Sequence, residues 1–162
     1  MASYDFTRMK RLIIIYRILQ GVLILLLLYM ALSMNTGFAA LGSTHLFIKS
    51  IILGVITQAI LFYPALVLAR QEVMVNLDSA LQGQDGEALK AIRNRRLYGD
   101  ICKICFIGFF GTFIMLIPGA EKGIGARVIL SSALLGFLLV LISYFQCFNF
   151  LATRKIKEIT AR

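Results

Sequence analysis

The sequence has no tryptophan, one histidine and eight acidic residues against seventeen basic ones. Haem ligation by two histidines needs both of them inside a helical bundle, and the chain offers only His45. No Ser-His-acid arrangement is recognisable, which argues against hydrolysis by such a set. This scarcity of chemically active side chains indicates a protein that is not an enzyme, and we expect no catalytic residues, no cofactor and no metal.

What the sequence has in excess is apolar residues, which make up 59% of the chain while charged residues make up 15%. An average soluble domain is about 45–50% apolar and about 25% charged. The apolar residues form four blocks, at about 12–34, 46–69, 101–118 and 128–152. Each is near the roughly 20 residues that a helix needs to cross a bilayer. We therefore predict an all-α membrane protein with four transmembrane helices in a single domain, residues 1–162.

The first block follows a basic N-terminal stretch, as the apolar core of a secretory signal peptide does. Its apolar run is longer than the roughly 7–15 residues usual in such a core. We therefore expect this block to be retained as the first transmembrane helix.

Lysine and arginine are distributed unevenly about the four blocks. Fourteen of the seventeen lie in or beside the N-terminus, the connection between the second and third blocks, or the C-terminus. Lys49, Lys122 and Arg127 lie on the other side. Because basic flanks resist translocation, both termini and the middle connection are predicted to be cytoplasmic. The small size and simple layout favour a bacterial inner membrane.

The formal net charge of +9 comes from this collar of basic residues beside the predicted spans. Such a collar attracts anionic lipid headgroups at about 1 kcal/mol per residue, which fits its position better than nucleic acid does. Arg17 and Lys103, just inside their spans, are expected to reach the same interface. The predicted lipid-contacting residues are Arg8, Lys10, Arg11, Arg93, Arg95, Arg96, Arg154, Lys155 and Lys157. Tyrosines are expected there in place of tryptophan, at Tyr4, Tyr16, Tyr63, Tyr98 and Tyr144.

The segment 70–97 is too polar to be embedded in lipid. Apolar residues recur about every four positions on both sides of a glycine-containing turn at 83–86, as in two short amphipathic helices. This pattern predicts a helical hairpin that projects about 20 Å into the cytosol. The hairpin either packs only on itself or offers a docking surface to a partner.

Cys102 and Cys105 form a Cys-x-x-Cys pair, and the only other cysteine is Cys147. A three-thiol cluster at the cytoplasmic ends of the last two spans lacks a fourth zinc ligand, since His45 lies on the opposite side. In length and in its Cys-x-x-Cys the chain resembles the four-helix quinone-coupled disulfide oxidoreductases, such as the DsbB and vitamin K epoxide reductase families. That resemblance implies a membrane thiol oxidoreductase that uses Cys102 and Cys105. Those families also carry a second cysteine couple in an outward-facing loop, which is missing here, so the pattern favours unreactive thiols.

Small residues recur at helical spacing within three of the blocks. In lipid, where there is little hydrophobic drive between helices, such stripes let two backbones approach closely. The third block has one such stripe, and the second and fourth each have a serine and a glycine four positions apart. The predicted packing residues are Ser50, Gly54, Cys105, Gly108, Gly111, Ser132 and Gly136.

The second and fourth blocks also resemble each other, with SIILGVI in one and SALLGFL in the other. RMKRL before the first block and RNRRL before the third correspond at a similar offset. These matches favour a duplicated two-helix hairpin, as in some transporters. The residues available to line a pathway between the halves are Thr57, Gln58, Gln146 and Asn149. No acidic residue lies near the middle of a span, where ion-coupled carriers usually keep one.

Two functions follow from these patterns. The first is a non-catalytic accessory, assembly or structural subunit of a membrane complex, or a homo-oligomer, held together by the small-residue stripes. The alternative is a small transporter or channel built from the duplicated hairpin. In both, the expected partners are membrane lipids together with other membrane subunits or further copies of the chain.

Overall fold

The computed structural model of the chain describes residues 4–81, 86–116 and 123–161, apart from the side chains at positions 102, 110, 113, 114 and 116. Helices make up 92% of the described residues and no strand occurs among them, which confirms the predicted all-α class. In chain order the helices are α1 (Thr7–Ala39), α2 (Thr44–Asp78), α3 (Gly86–Leu116) and α4 (Ile124–Thr160).

Of the helices in the described ranges, α1, α2 and α4 are long and apolar enough to cross a membrane. In lipid no water is available to backbone groups, and a helix satisfies their hydrogen bonds within its own segment. Continuous Leu- and Ile-rich stretches in lipid therefore favour helix. α3 contains the third apolar block, 101–118, whose last two positions lie outside the described residues. α2 runs without interruption through Pro64 to Asp78, well past the predicted end of its span.

The connection between α1 and α2 is shorter than the predicted spans imply. Those spans leave residues 35–45 between them, and most of these residues are helical. α1 ends where Gly42 adopts a left-handed conformation with φ of +65°. The Ser43 amide donates to the Phe38 carbonyl at 3.0 Å and the Gly42 amide to the Ala39 carbonyl at 2.9 Å. This Schellman pattern requires a residue that tolerates positive φ, and glycine does so without a Cβ penalty.

α2 and α4 run parallel to each other in contact along much of their length. Successive contacts advance together in both helices, with Gly54 beside Gly136 and Gln58 bonded to Ser143. α1 packs antiparallel to α4, since Phe38 lies in the same cavity wall as Ser131 at one end. At the other end, the ring of Tyr16 is 4.7 Å from that of Phe148, centroid to centroid.

The core lies between α1, α2 and α4. Its largest fully buried side chains are Phe148, Met9 and Val73, one from each of these three helices. Among the described side chains of α3, the half-buried Phe106 packs against the edge of this core. Truncating a buried Phe to Ala in such packing costs about 3–5 kcal/mol, so Phe148 is an anchor for three of the four helices.

The N-terminal segment closes one end of the bundle. The Asp5 amide donates to the Ala80 carbonyl at 2.9 Å, which ties the segment to the far end of α2. The Asp5 carboxylate accepts from the Thr7 amide at 2.9 Å. Hydrogen bonding with the Thr7 side chain, and then with this amide, lowers the pKa of Asp5. Met9 packs in the same core as Ala152 of α4. Arg8, Lys10 and Arg11 of α1 and Arg154 and Lys155 of α4 lie at this end of the bundle, and we call it the basic end.

Candidate functional site: a carboxylate shared by four helices

One face of α2 carries both polar and apolar side chains toward the basic end. Leu68, Glu72, Val75 and Ser79 recur at three- and four-residue intervals, which places them on one side of the helix. Leu68, Glu72 and Val75 line a single cavity together with residues of α1 and α3. Ser79 accepts a hydrogen bond from α3. The face of α2 that bears Glu72 is therefore turned toward its neighbours.

The Glu72 carboxylate receives three donors from three different helices. Tyr16 of α1 donates its hydroxyl to Oε1 at 2.7 Å. Lys103 of α3 places its ammonium 2.7 Å from Oε2, and Tyr144 of α4 donates its hydroxyl to the same oxygen. We call Tyr16, Glu72, Lys103 and Tyr144 the Glu72 cluster, in which each helix supplies one side chain.

The cluster is well shielded from solvent, with the Glu72 side chain 16% exposed and that of Lys103 29% exposed. Hydrogen bonds to a charged group contribute about 1.5–3 kcal/mol each. Lys103 also lies 3.6 Å from an Asp100 oxygen and 5.7 Å above the centroid of the Tyr144 ring. A cation over an aromatic face adds about 0.5–2 kcal/mol. Lys103 therefore attaches α3 to both α2 and α4.

Neighbouring aromatic rings hold the two phenols in place. The ring of Tyr16 lies 4.8 Å from that of Phe145, and Tyr144 lies 5.5 Å from Phe145 in an edge-to-face arrangement. Such tilted pairs are the preferred geometry of aromatic contacts. The hydroxyl groups are thus directed at Glu72 by packing on α4.

On its outer side the Glu72 cluster opens into a polar cavity of about 230 Å³. Arg8 of α1 and Arg95 and Arg96 of α3 line it, opposite Asp100 and Glu72. Arg96 donates to the Ser79 hydroxyl at 3.0 Å. Burial, and then the nearby Arg8 guanidinium, lower the pKa of Arg96 from its ordinary value. Guanidinium groups therefore outnumber carboxylates in this cavity.

On its inner side the cluster borders an apolar groove of about 330 Å³ between the helices. The groove shares Tyr16, Leu68 and Lys103 with the polar cavity. The rest of its lining is apolar, and includes Leu19, Leu61, Pro64, Phe106, Ile107 and Val140. The Glu72 cluster therefore separates a cationic compartment from an apolar one.

The small residues predicted to pack on α2 and α4 do meet. A Cβ added to Gly54 would lie 3.3 Å from the Leu135 Cβ and 3.4 Å from the Gly136 amide nitrogen. A Cβ on Gly136 would lie 3.3 Å from Thr57. Ser50 is fully buried beside this contact, and Ser132, half-buried, supplies its carbonyl oxygen to it. The missing side chains of these two glycines let the backbones approach closely.

The small residues predicted to pack on α3 meet no neighbour within the described residues. Cys105 is exposed, and a Cβ on Gly108 or Gly111 would have no atom within 4 Å. α3 meets the bundle through Lys103 and Phe106 instead. At about 100° per residue, Cys105 and Gly108 fall on the opposite side of the helix from those two. The stripe is therefore present but faces outward.

The predicted pathway residues divide into two separate groups. Gln58 donates to the Ser143 hydroxyl at 2.8 Å, which bridges α2 and α4. Beside it, Thr57 donates to the Leu53 carbonyl of its own helix at 2.9 Å. These groups are satisfied where they stand and form part of the α2–α4 contact.

The second group lies nearer the basic end, between α1 and α4. Gln20 donates to Gln146, and Asn149 donates to the Gln20 carbonyl oxygen at 3.5 Å. All three line an open polar groove of about 620 Å³ with Arg17 and Arg154. The Asn149 side-chain oxygen is buried and accepts no hydrogen bond within the described structure.

The predicted lipid-contacting residues cluster at the basic end. Arg8, Lys10, Arg11, Arg93, Arg95, Arg154 and Lys157 are exposed there, whereas Arg96 and Lys155 are half-buried. Arg154 and Lys155 both bind Glu158, at 2.9 and 2.8 Å, and these bonds lower the pKa of Glu158. Their charges are thus partly neutralised within α4.

The predicted thiol site is described only in part, because the Cys102 side chain lies outside the described residues. Cys105 is exposed on α3, and Cys147 is half-buried on α4. Among the side chains that the structure describes, no group of three or more His, Cys, Asp or Glu is placed to hold a metal ion.

Sequence reasoning missed the Glu72 cluster. It assigned Tyr16, Tyr144 and Lys103 to the membrane interface as separate side chains, although the structure joins them at one carboxylate. One signal was available, since an ionisable residue just inside an apolar block usually has a partner there. In the structure the partner of Lys103 is Glu72, and Asp100 is a second acidic residue nearby.

No protein-family model matches the chain, and neither a curated protein nor a solved structure matches it. The functional argument therefore comes from the geometry of the chain itself.

Proposed function

We propose that the chain is a four-span integral membrane protein with both termini in the cytoplasm of a bacterial cell. Three helices are apolar enough to span, and α3 lies antiparallel to α2 and α4, joined to them by Lys103 and by Phe106 against Phe137. Most of the lysines and arginines of the chain lie at the basic end. Because cytoplasmic flanks carry an excess of these residues, we assign the basic end to the cytoplasm. Anionic lipids are its partners at that surface.

Within that membrane, the chain acts as a non-catalytic accessory or structural subunit, or as a protomer of a homo-oligomer. The observation that carries this proposal is the uncovered outer face of α3. Ile104 and Ile101 on this helix are 69% and 45% exposed, beside the open stripe of Cys105 and Gly108. Bulky residues around a small-residue stripe allow a second helix to pack closely from outside.

The test is the mass of the particle extracted gently from its native membrane, with every co-purifying polypeptide identified. The proposal predicts a mass above that of one chain, from other subunits or further copies. Gly108→Leu should reduce that mass, while Gly21→Leu should not, because Gly21 is an open glycine on α1 with no predicted packing role. A particle containing one chain in the wild type would refute the accessory role.

A second candidate, a small transporter built from a duplicated hairpin, is favoured by one specific observation. Gly54 and Gly136 occupy equivalent positions in the sequence repeat, and they contact each other where the parallel helices α2 and α4 cross. An axis along the membrane normal relates two such units in some transporters. Under this candidate, Gln58→Leu or Asn149→Leu abolishes solute flux in vesicles while the particle mass stays unchanged.

A further inference from the structure

The two compartments on either side of the Glu72 cluster suit a single amphipathic molecule. They share Tyr16, Leu68 and Lys103, so they are adjacent, and they differ sharply in character. A groove of about 330 Å³ is within the roughly 300–1,000 Å³ typical of ligand pockets. Its lining is almost wholly apolar, whereas the neighbouring cavity has six charged side chains in its lining, among neutral and apolar ones.

The polar cavity has an excess of positive charge. Arg8, Arg95, Arg96 and Lys103 face only Glu72 and Asp100. Lys103 already pairs with Glu72, which leaves three guanidinium groups near one further carboxylate. Neither Arg8 nor Arg95 takes part in an ion pair among those within the described ranges. An anionic group is the ligand that balances this cavity.

The position of the apolar groove indicates the chemistry of the part of the ligand that lies beyond its anionic group. Phe106 and Ile107 lie one turn beyond Lys103 toward the middle of the apolar block 101–118, and Leu61 and Pro64 lie two to three turns beyond Glu72 on α2. The groove thus runs from the charged cluster into the apolar part of the bundle. A hydrocarbon chain whose head remains at the basic end would follow this course.

We propose that the bundle binds one anionic glycerophospholipid, with its phosphate between Arg8 and Arg96 and one acyl chain in the apolar groove. Tyr16, Lys103 and Glu72 lie at the junction between head and chain. This site rests on the proposed membrane embedding, and it goes beyond the general attraction of a basic collar because it needs both compartments. Guanidinium groups suit it, since they bind phosphate in a bidentate manner.

Native mass spectrometry of the full chain in detergent tests the site, with equal amounts of phosphatidylglycerol and phosphatidylcholine added. We expect one phosphatidylglycerol to be retained in preference to phosphatidylcholine. Arg8→Gln removes a charge-assisted contact and should weaken retention about tenfold or more. Lys10→Gln, the matched control, removes an exposed charge two residues away that does not line the cavity, and should leave retention unchanged.

The groove has its own pair of variants. Ile107→Trp fills it from the α3 side and should lower retention, whereas Ile60→Trp, at an exposed position of α2 outside the lining, should not. If a variant unfolds, photolabelling of the wild type replaces it. A phosphatidylglycerol with a photoreactive acyl chain should label the peptides that contain Phe106 and Val140, and unlabelled phosphatidylglycerol should compete.

Equal retention of the two lipids, equal loss in Arg8→Gln and Lys10→Gln, or labelling spread evenly along α1 would overturn the site. These outcomes are separable from those of the proposed function. A single-chain particle that keeps its phosphatidylglycerol contradicts the accessory role and supports the site. An assembly that shows no lipid preference does the reverse.

Discussion

The interface between α2 and α4 and the outer face of α3 carry the same kind of sequence pattern but differ in what covers them. Gly54 and Gly136 bring two backbones together, so that an added Cβ would meet atoms at 3.3–3.4 Å. A Cβ added to Gly108 or Gly111 on α3 would have no atom of the described residues within 4 Å. A small-residue stripe therefore indicates that a backbone can be approached closely, but it does not say by which helix.

The attachment of α3 to the bundle differs in kind from the contact between α2 and α4. α2 and α4 meet through glycine backbones and the Gln58 to Ser143 bond. α3 is held mainly by a charged side chain reaching Glu72, with Phe106 packed at the edge of the core. Close packing distributes its stabilisation over many weak contacts, whereas an ion pair concentrates it in a few atoms.

Lys103→Met removes the charged side chain that reaches Glu72 from α3, and we expect it to have the largest effect. It leaves a largely buried carboxylate with only two phenol donors, and should lower the free energy of unfolding by about 2–4 kcal/mol. Equilibrium unfolding in mixed detergent measures the change. Lys49→Met, an exposed lysine near the start of α2, is the control, and adding Glu72→Gln to Lys103→Met should restore much of the loss.

Gly136→Leu tests the close-packed side of the comparison. The new side chain meets Thr57 and the Gly54 carbonyl, where no space is left, so the free energy of unfolding should fall by about 1–3 kcal/mol. The same unfolding assay reports it, and Gly125→Leu near the start of α4, where the space is open, serves as control. An unfolding free energy equal to wild type would mean that the two helices do not pack as described.

Gln58→Leu removes a single polar bond from the same interface. The expected loss is about 0.6–1.7 kcal/mol, the range found for hydrogen bonds between membrane helices. Ser143→Ala should produce a similar loss, and the double variant should cost little more than either alone. Fully additive losses would show that these two side chains do not interact.

Gly108→Leu examines the open face. Since a side chain there meets no atom of the same chain among the described residues, the free energy of unfolding of the single chain should change by no more than about 0.5 kcal/mol. A loss as large as that of Gly136→Leu would place the α3 stripe inside the fold and remove the contrast between the two faces.

The exposed end of α4 provides the smallest effect. The pKa of Glu158 is lowered by Lys155 and Arg154, so its contribution is present at neutral pH and is lost as the pH falls through the folded-state pKa. Hydrogen exchange at the last turn of α4 should increase on acidification, once corrected for intrinsic rates. Glu158→Gln should abolish that pH dependence without shifting the unfolding midpoint.

The sequence predicts the helices well because long apolar blocks in a chain with few polar residues leave little alternative. It cannot tell that Gly54 meets Gly136 while Gly108 meets no atom of the described residues, since both sets are simply small residues at helical spacing. That distinction depends on how each helix is rotated about its axis. For α3 the rotation is set by Lys103, whose partner is thirty-one positions earlier in the chain.

The Glu72 cluster could not be derived from local patterns. Its members come from four helices, and each is unremarkable alone, because tyrosines and a lysine near the end of an apolar block are typical of a membrane interface. Only the packing of Tyr16 and Tyr144 against Phe145 directs both hydroxyls at one carboxylate. The predicted anionic-lipid collar likewise gave no sign that Arg8 and Arg96 share a cavity.

The central claim is that the open face of α3 is covered by a partner outside the chain. The most direct measurement is the mass of the particle in gently extracted membranes for wild type, Gly108→Leu and Gly21→Leu side by side. We expect wild type and Gly21→Leu to share a mass above that of one chain, and the mass of Gly108→Leu to fall toward that of one chain. A common mass for all three, at one chain or above, would contradict it.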